Sequence, residues 1–527
     1  MRPLKRYKHN LSHDHLGTYE MGPLYPNLLI ETLPGDSFEI VTESMSRFEA
    51  MTSATFSRID KFQYYFYIPK RLLFADYYDY RYGGKDGTDS TVPPYMIAPV
   101  GGYPLGSLAD YFGLPTGVEN FKHSAMPFRG YELILNDWFL NDHLDTFFDV
   151  KTTPGLDTTT NTSLQNKKWE KDRFTSALPS SQLTQNPVYL PMGIDAPVSV
   201  YGTGKSLGLT DDLQLGVGLT TASSVGVIAE SQAFNVPVGT SVSNAGMANL
   251  KAIGVTPVAS DSGLAGTADL SIASAVTIPQ LRTSIVVQQF LERLNRCGTR
   301  DVEATLSTFG VRIPDYRLDR SSYLGGSRTP VMITPVEQTS ESATTPQGTL
   351  TGRGISAGTT GCKCFCYEDG FIIGLVCYIP RTSYSQGLDK MWTRETRYDE
   401  FLPDFQGIGD QEVKIENIYT QSDSVVDASG TPRNKLTFGY EGRYNEFRHM
   451  YSKVHGQYRP GGTMEDHTLT RNFENEPQLN SQFVTADPST RIFAVTSGVD
   501  HIEAQFFHHI RAYRPVKLYG NPGVGKV

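Results

Sequence analysis

The chain is predicted to be mainly β: an eight-stranded antiparallel jelly roll, two sheets face to face, with long inserted loops and a few short helices. Three observations point there. The 527 residues carry 49 Gly, 31 Pro, 29 Tyr and 27 Phe, a mixture in which aromatics fill pleated surfaces while glycine and proline punctuate short strands. The run KFQYYFYIP from Lys61 alternates, with Phe62, Tyr64, Phe66 and Ile68 on one face and Gln63, Tyr65 and Tyr67 on the other. No alternation of strand and helix suggests a parallel sheet.

Residues 1–32 are expected to form a basic arm, because Arg2, Lys5, Arg6 and Lys8 precede the first acidic residue, Asp14. The core is expected over 33–194 and 277–510. It opens on the turn Leu33-Pro34-Gly35-Asp36 and the strand-like run SFEIVTES. The segment 132–148 has Ile134, Trp138 and Phe139 on one helical side. Residues 195–276 change character: Ala, Ser, Gly, Thr and Val dominate and charge almost vanishes, as in a surface excursion with little core of its own. From Gln280, Leu281, Ile285, Phe290, Leu291 and Leu294 recur near helical spacing. Asp369-Gly370 reads as a two-residue hairpin turn, setting Cys362 opposite Cys377, Cys364 opposite Leu375 and Cys366 opposite Ile373. Residues 511–527 read as an extended C-terminal arm.

The remaining chemistry points away from catalysis. A net charge of −9 excludes general nucleic-acid affinity but allows one basic face. Five cysteines do not form a disulfide framework. Cys362, Cys364 and Cys366 alternate along one strand about 7 Å apart, too far for one tetrahedral zinc, so buried thiols are expected, a Cys362–Cys377 disulfide being the alternative. Gly520-Asn521-Pro522-Gly523-Val524-Gly525-Lys526 has the spacing of a phosphate-binding loop, but Val527 follows where Ser or Thr is needed. No zinc-protease or nucleophile-elbow motif occurs, and no catalytic residue, metal or cofactor is expected. No apolar run is long enough to span a membrane, and the N-terminus lacks the apolar stretch of a signal peptide. The arm could contact phosphates through Arg2, Lys5, Arg6 and Lys8, with a solvated terminus as the alternative.

Several blocks, in order, resemble the major capsid proteins of microviruses, specifically the gokushovirus-like single-stranded DNA phages. Leu33-Pro34-Gly35-Asp36 is similar to the family's N-terminal turn. Asp172-Arg173-Phe174-Thr175-Ser176-Ala177-Leu178-Pro179, with Gln182, resembles "DYFTSALP…Q". Residues 281–340, with Gly298-Thr299-Arg300, Phe309-Gly310-Val311, Tyr323-Leu324-Gly325-Gly326 and Pro335-Val336-Glu337-Gln338-Thr339-Ser340, resemble the family's core block. Tyr384-Ser385-Gln386-Gly387 through Trp392, Arg394 and Arg397 resembles "YxQG…W.R.TR". Phe438-Gly439-Tyr440 with Arg443 resembles "FGYQ.R..EYR", and Arg514 to Gly523 resembles the closing "RP.P.YG.PG". Arg173 stands where a tyrosine is usual, Ser180-Ser181 replace Trp-Pro, Asp301 replaces a tyrosine, and Ser321-Ser322 replace Pro-Glu.

The resemblance implies a non-enzymatic shell subunit that assembles with copies of itself on a T=1 icosahedral lattice. It implies a circular single-stranded DNA genome inside, small DNA-binding and pilot proteins as partners, a place in the virion, and assembly in the host bacterial cytoplasm. It puts 195–276 where surface projections lie, available to a host receptor. Trp392, Arg394, Arg397, Tyr440, Arg443, Arg514 and Tyr519 become subunit-interface candidates, since Trp, Tyr and Arg anchor interfaces, with a place in the subunit's own core as the equal alternative for the aromatics of 384–397 and 440–451. Composition alone also allows a β-sandwich glycan-binding protein or glycosidase.

Overall fold

A computed structural model describes residues 5–85, 88–182, 278–297, 307, 319–340, 347–348 and 350–519, with short pieces at 198–202, 208–209, 226–227 and 264–268. The chain divides into two compact units, Met1–Leu183 with Glu292–Val527, and Thr184–Leu291. In the second, Val198–Gly202 pairs antiparallel with Leu264–Ala268.

The first unit is mainly β. Besides a short ribbon of Tyr95–Ile97 with Lys122–Ser124, its strands are β1 (Tyr7–Asn10), β2 (His13–Tyr19), β3 (Tyr25–Thr32), β4 (Ser37–Phe48), β5 (Ile59–Pro69), β6 (Ser322–Pro330), β7 (Met332–Glu337), β8 (Leu350–Phe365), β9 (Gly370–Pro380), the ribbon strands β10 (Asp410–Lys414) and β11 (Thr437–Gly442), and β12 (Ile502–Arg514). A six-stranded sheet runs β1-β12-β4-β8-β7, with β2 also on β12, and a four-stranded sheet runs β6-β5-β9-β3. All these pairings are antiparallel.

The period-2 pattern explains how the layers stack. On β4, Phe38 and Ile40 turn inward, and on β12 Ile510 and Ala512 do the same. They meet Leu28, Ile30, Tyr65 and Ile372 of the second sheet. A second cluster between the sheets gathers Tyr19, Phe48, Val376, Tyr378 and Phe506. The other face of β5 carries Phe62, Phe66 and Ile68, as its alternation predicts. They lie under α1 (Tyr77–Tyr82), α2 (Leu108–Tyr111) and α3 (Met126–Ile134). The four-stranded sheet is therefore covered on both faces, and all eleven residues of β9 are buried.

Four expectations change. The arm shrinks: Tyr7–Thr32 lie in the sheets, with Tyr7 opposite Arg514 and Lys8 opposite Tyr513. Polar HNLSHDH hid this because β1 and β2 need only one partner strand and keep much of their surface in water. At the other end, residues 511–514 finish β12 rather than opening an arm.

The hairpin is also overturned. β8 pairs with β4 and β7, whereas β9 pairs with β5 and β3, so the chain crosses between sheets at 366–369. Cys366 exchanges backbone bonds with the Gly35-Asp36 turn, and Lys70 N donates to Asp369 O. Gly370 is needed for close approach, since a Cβ there would meet Ile68 O at 2.4 Å. Cys362 consequently faces the inter-sheet core while Cys377 faces the helices, and both are free thiols. Burial pushes each up to about 12, so they stay protonated.

The helix expected over 132–148 starts earlier and stops sooner. α3 runs into a wider turn at Leu135–Phe139. The Asn136 side chain then clips both backbone groups of Phe148 (2.8 and 2.9 Å) and folds the chain back. The helix from Gln280 does form, over Ile278–Cys297, and leaves Leu281, Ile285 and Phe290 half exposed. No helix among the described residues is long and apolar enough to cross a membrane.

A polar chain threads the sandwich. Gln63 donates to Tyr65 Oη (2.6 Å), Tyr65 to Thr42 Oγ1 (2.5 Å), and Thr42 to His508 Nδ1 (2.8 Å), while His508 Nε2 donates to Asn27 O (2.9 Å). This order holds neutral imidazole, and burial, aided by His13, lowers its pKa to about 4. The unfolded chain binds this proton near 6.5, so stability is complete above that pH and falls by up to about 3 kcal/mol as pH drops to 4. Buried Glu132, raised to about 7, works in the opposite direction. The difference between the parent and His508→Gln isolates the histidine: denaturant midpoints at pH 7.5 and 4.5 should separate less in the variant.

Candidate functional site

Between β9 and β12 the chain leaves the sandwich for residues 381–501, where the ribbon β10–β11 is joined by single 3-10 turns and one α-helical turn, Ser481–Val484. Such a stretch lacks a sheet to organise it, so side chains must. Phe174, Tyr384, Val413, Ile418, Phe438 and Phe483 form its own small core. Phe174 meets the rings of Tyr384 and Tyr451 edge-on at 5.0 Å each.

The 172–178 segment is the hub of this excursion. Asp172 accepts from the hydroxyls of Thr382 and Tyr384 (2.7 Å each) and from the backbone of Phe174 and Thr175 (2.9 and 2.8 Å). Leu178 and Tyr440 exchange backbone bonds at 2.8 and 2.7 Å. Between them Arg173 makes a two-pronged bond to Glu441, at 3.1 and 2.8 Å, with both side chains 3% exposed. Gln411 and Asn445 also donate to Glu441, at 3.0 and 2.9 Å. The substitution of Arg for tyrosine at 173 thus has a physical partner, because Glu441 stands at the glutamine of the "FGYQ" pattern.

The interface candidates fall into separate places. Arg397 donates to Tyr398 Oη (2.6 Å) and Arg443 to Tyr398 O (2.9 Å), while Arg394 lies over the Phe447 ring at 5.0 Å. These three arginines are therefore brought together as lashings of one loop cluster. Trp392 ends the turn Lys390–Trp392, 71% exposed. Tyr440 is half-buried and acts through its backbone. Arg514 is a pin within the sandwich, bonded to Asp36 (3.0 Å) and Glu31 O (2.9 Å). Tyr519 is exposed near the end of the described chain.

Of the basic cluster, Arg6 bonds Gly35 O (3.2 Å), Lys5 lies over the Tyr7 ring, and Lys8 lines a shallow dip with His509 and Arg511. Arg2 lies outside the described residues, as do the 520–527 glycine loop and the 298–300 turn.

Sequence reasoning missed the exposed apolar residues beside these arginines: Met391, Phe401, Ile408, Phe447 and Met450. Phe401 packs on Tyr444 (5.0 Å) and Phe447 (5.9 Å). Tyr444 holds a left-handed backbone at φ 61°, costly for a tyrosine. Its amide donates to Gln411 Oε1 (3.1 Å) and its hydroxyl to Glu400 O (3.1 Å), which fixes the conformation. The aromatic density of 398–405 was the available signal, but composition cannot tell a buried ring from a displayed one.

Among the described residues no group of His, Cys, Asp or Glu is placed to hold a metal ion. What the geometry offers instead is a rigid sandwich displaying aromatic, aliphatic and arginine side chains on braced loops, the chemistry of protein–protein contact. That defines a structural subunit.

Comparison with known proteins agrees: the family model for the capsid protein (F protein) matches residues 2–524, and the chain belongs to that family. It is similar to capsid protein VP1 of Chlamydia phage 1, 33% identical across 99% of this chain and 96% of the relative. Capsid protein VP1 of Bdellovibrio phage phiMH2K is 32% identical over 98% and 95%, and that of Spiroplasma virus 4 is 26% identical over 99% and 96%. The chain is thus a microvirus capsid protein, a structural component of the virion and not an enzyme, which removes the glycosidase reading.

Proposed function

We propose that this capsid protein is an eight-stranded jelly-roll subunit that closes a T=1 icosahedral shell around a circular single-stranded DNA genome. Nested antiparallel pairs support the jelly roll: β4 with β12, β5 with β9 and β7 with β8, the order a rolled-up hairpin leaves. The single observation that carries assembly is the exposed apolar surface of 381–501, suited to burial against another copy.

The small DNA-binding and pilot proteins would complete the particle, assembled in the host bacterial cytoplasm and without membrane insertion. Residues 195–276 would face outward toward a host receptor. Brief protease treatment of intact particles should cleave within that segment first, and full protection would contradict an outward placement.

The basic residues Arg2, Lys5, Arg6 and Lys8 would touch packaged DNA. Neutralising all four should lower the DNA content per particle while shells still form; unchanged content, read from the ratio of absorbance at 260 and 280 nm, removes that role.

A further inference from the structure

The first unit has a cavity of about 510 Å³ that the subunit contacts above do not use. Its floor is aromatic. Tyr323 of β6 and Trp138, in the turn after α3, are 45% and 40% exposed, with ring centroids 5.8 Å apart. Both rest on Phe66, at 5.5 and 5.9 Å.

The platform is fixed before any ligand arrives. Trp138 Nε1 donates to Ser321 Oγ (3.0 Å), and Ser321 donates through its amide and hydroxyl to Asp137, 2.7 Å each. Ser321 is fully buried and is one of the residues at which this chain departs from the family pattern.

The rim is cationic. Among the described residues, Lys167, Lys168, Lys171 and Arg296 line it against a single carboxylate, Asp142. Lys168 is neutralised by Asp145 and Arg296 by Asp410. Lys167 instead lies over the Phe62 ring at 3.9 Å, and Lys171 is exposed with no ion pair among the described residues. Two positive charges are thus left over beside the exposed Tyr323 ring, while the Arg320 guanidinium already lies over Trp138 at 4.3 Å.

We infer that this cavity takes a nucleotide of single-stranded DNA, a base stacking on Tyr323 beside the Arg320-capped Trp138 and a phosphate meeting Lys171 and Lys167. The inference rests on the proposed single-stranded DNA cargo and names where in the subunit one nucleotide is held. Stacking tolerates any base, and the lysines supply the salt-dependent part, the two features of sequence-independent single-strand binding. The volume lies in the range of small-ligand sites.

The test is titration of the purified full chain, in a Trp392→Phe background, with an oligodeoxythymidylate of about ten residues, following tryptophan fluorescence. Quenching is expected. Lys171→Glu should weaken binding about tenfold and flatten the salt dependence by about one counterion, with Tyr323→Ser adding a similar loss. Lys363→Glu, the same charge change on β8, should have little effect, and unfolding midpoints report that the variants fold. Absence of quenching, equal affinity of parent and Lys171→Glu, or an equal loss in Lys363→Glu would overturn the proposal. So would quenching by oligoglutamate in place of DNA, since the pocket would then serve an acidic peptide. Shell formation by Lys171→Glu and Tyr323→Ser made in the chain that keeps Trp392, read by sedimentation, tests the capsid role separately.

Discussion

Trp392→Glu combined with Met450→Glu should leave the subunit folded and stop it from forming shells. These side chains are 71% and 88% exposed, so the monomer loses little packing when they change. In an assembly each would sit in a desolvated contact, and a truncated anchor there costs about 2 kcal/mol or more. A charge buried without a partner costs more still. Because every subunit repeats the contact, the loss multiplies around the lattice. Sedimentation should show particles for the parent and only slow species for the variant, with unchanged unfolding midpoints. Particles at parental yield would mean that this surface faces solvent in the virion.

Glu441→Gln alone should destabilise the subunit by about 3 kcal/mol or more, because it leaves the buried Arg173 guanidinium without its counter-charge. Arg173→Tyr alone should cost a similar amount for the mirror reason, since Glu441 would keep only its amide donors, Gln411 and Asn445. The double variant, which restores the residues of the family pattern, should recover most of the loss. Chemical denaturation of all three gives the coupling directly. Additive losses would show that the pair is not a unit and that the hub is held by Asp172 and the aromatic cluster.

These two sites also show what the sequence could and could not disclose. The alternation at 61–69 was sufficient to place β5 and both its faces, because a strand covered on two sides has no freedom in register. The 366–369 connection misled because Asp-Gly after an alternating run favours a hairpin locally, while the actual partners, β4 for β8 and β5 for β9, lie more than 300 residues away. His13 to Tyr19 looked like arm rather than strand because its partner β12 is at the far end of the chain. The candidate arginines were singled out as interface anchors by residue type, yet Arg514 is tied to Asp36 within the sandwich. Exposure decides such roles, and spacing along a loop does not encode it. Arg173 was visible as a departure in the sequence, but only the geometry shows that buried Glu441 answers it.

The most direct measurement is electron microscopy, with particle mass, of the full chain expressed alongside its neighbouring phage genes. The account predicts uniform small icosahedral shells, with density for residues 381–501 at contacts between subunits. Folded protein that remains monomeric with every phage partner present would contradict it.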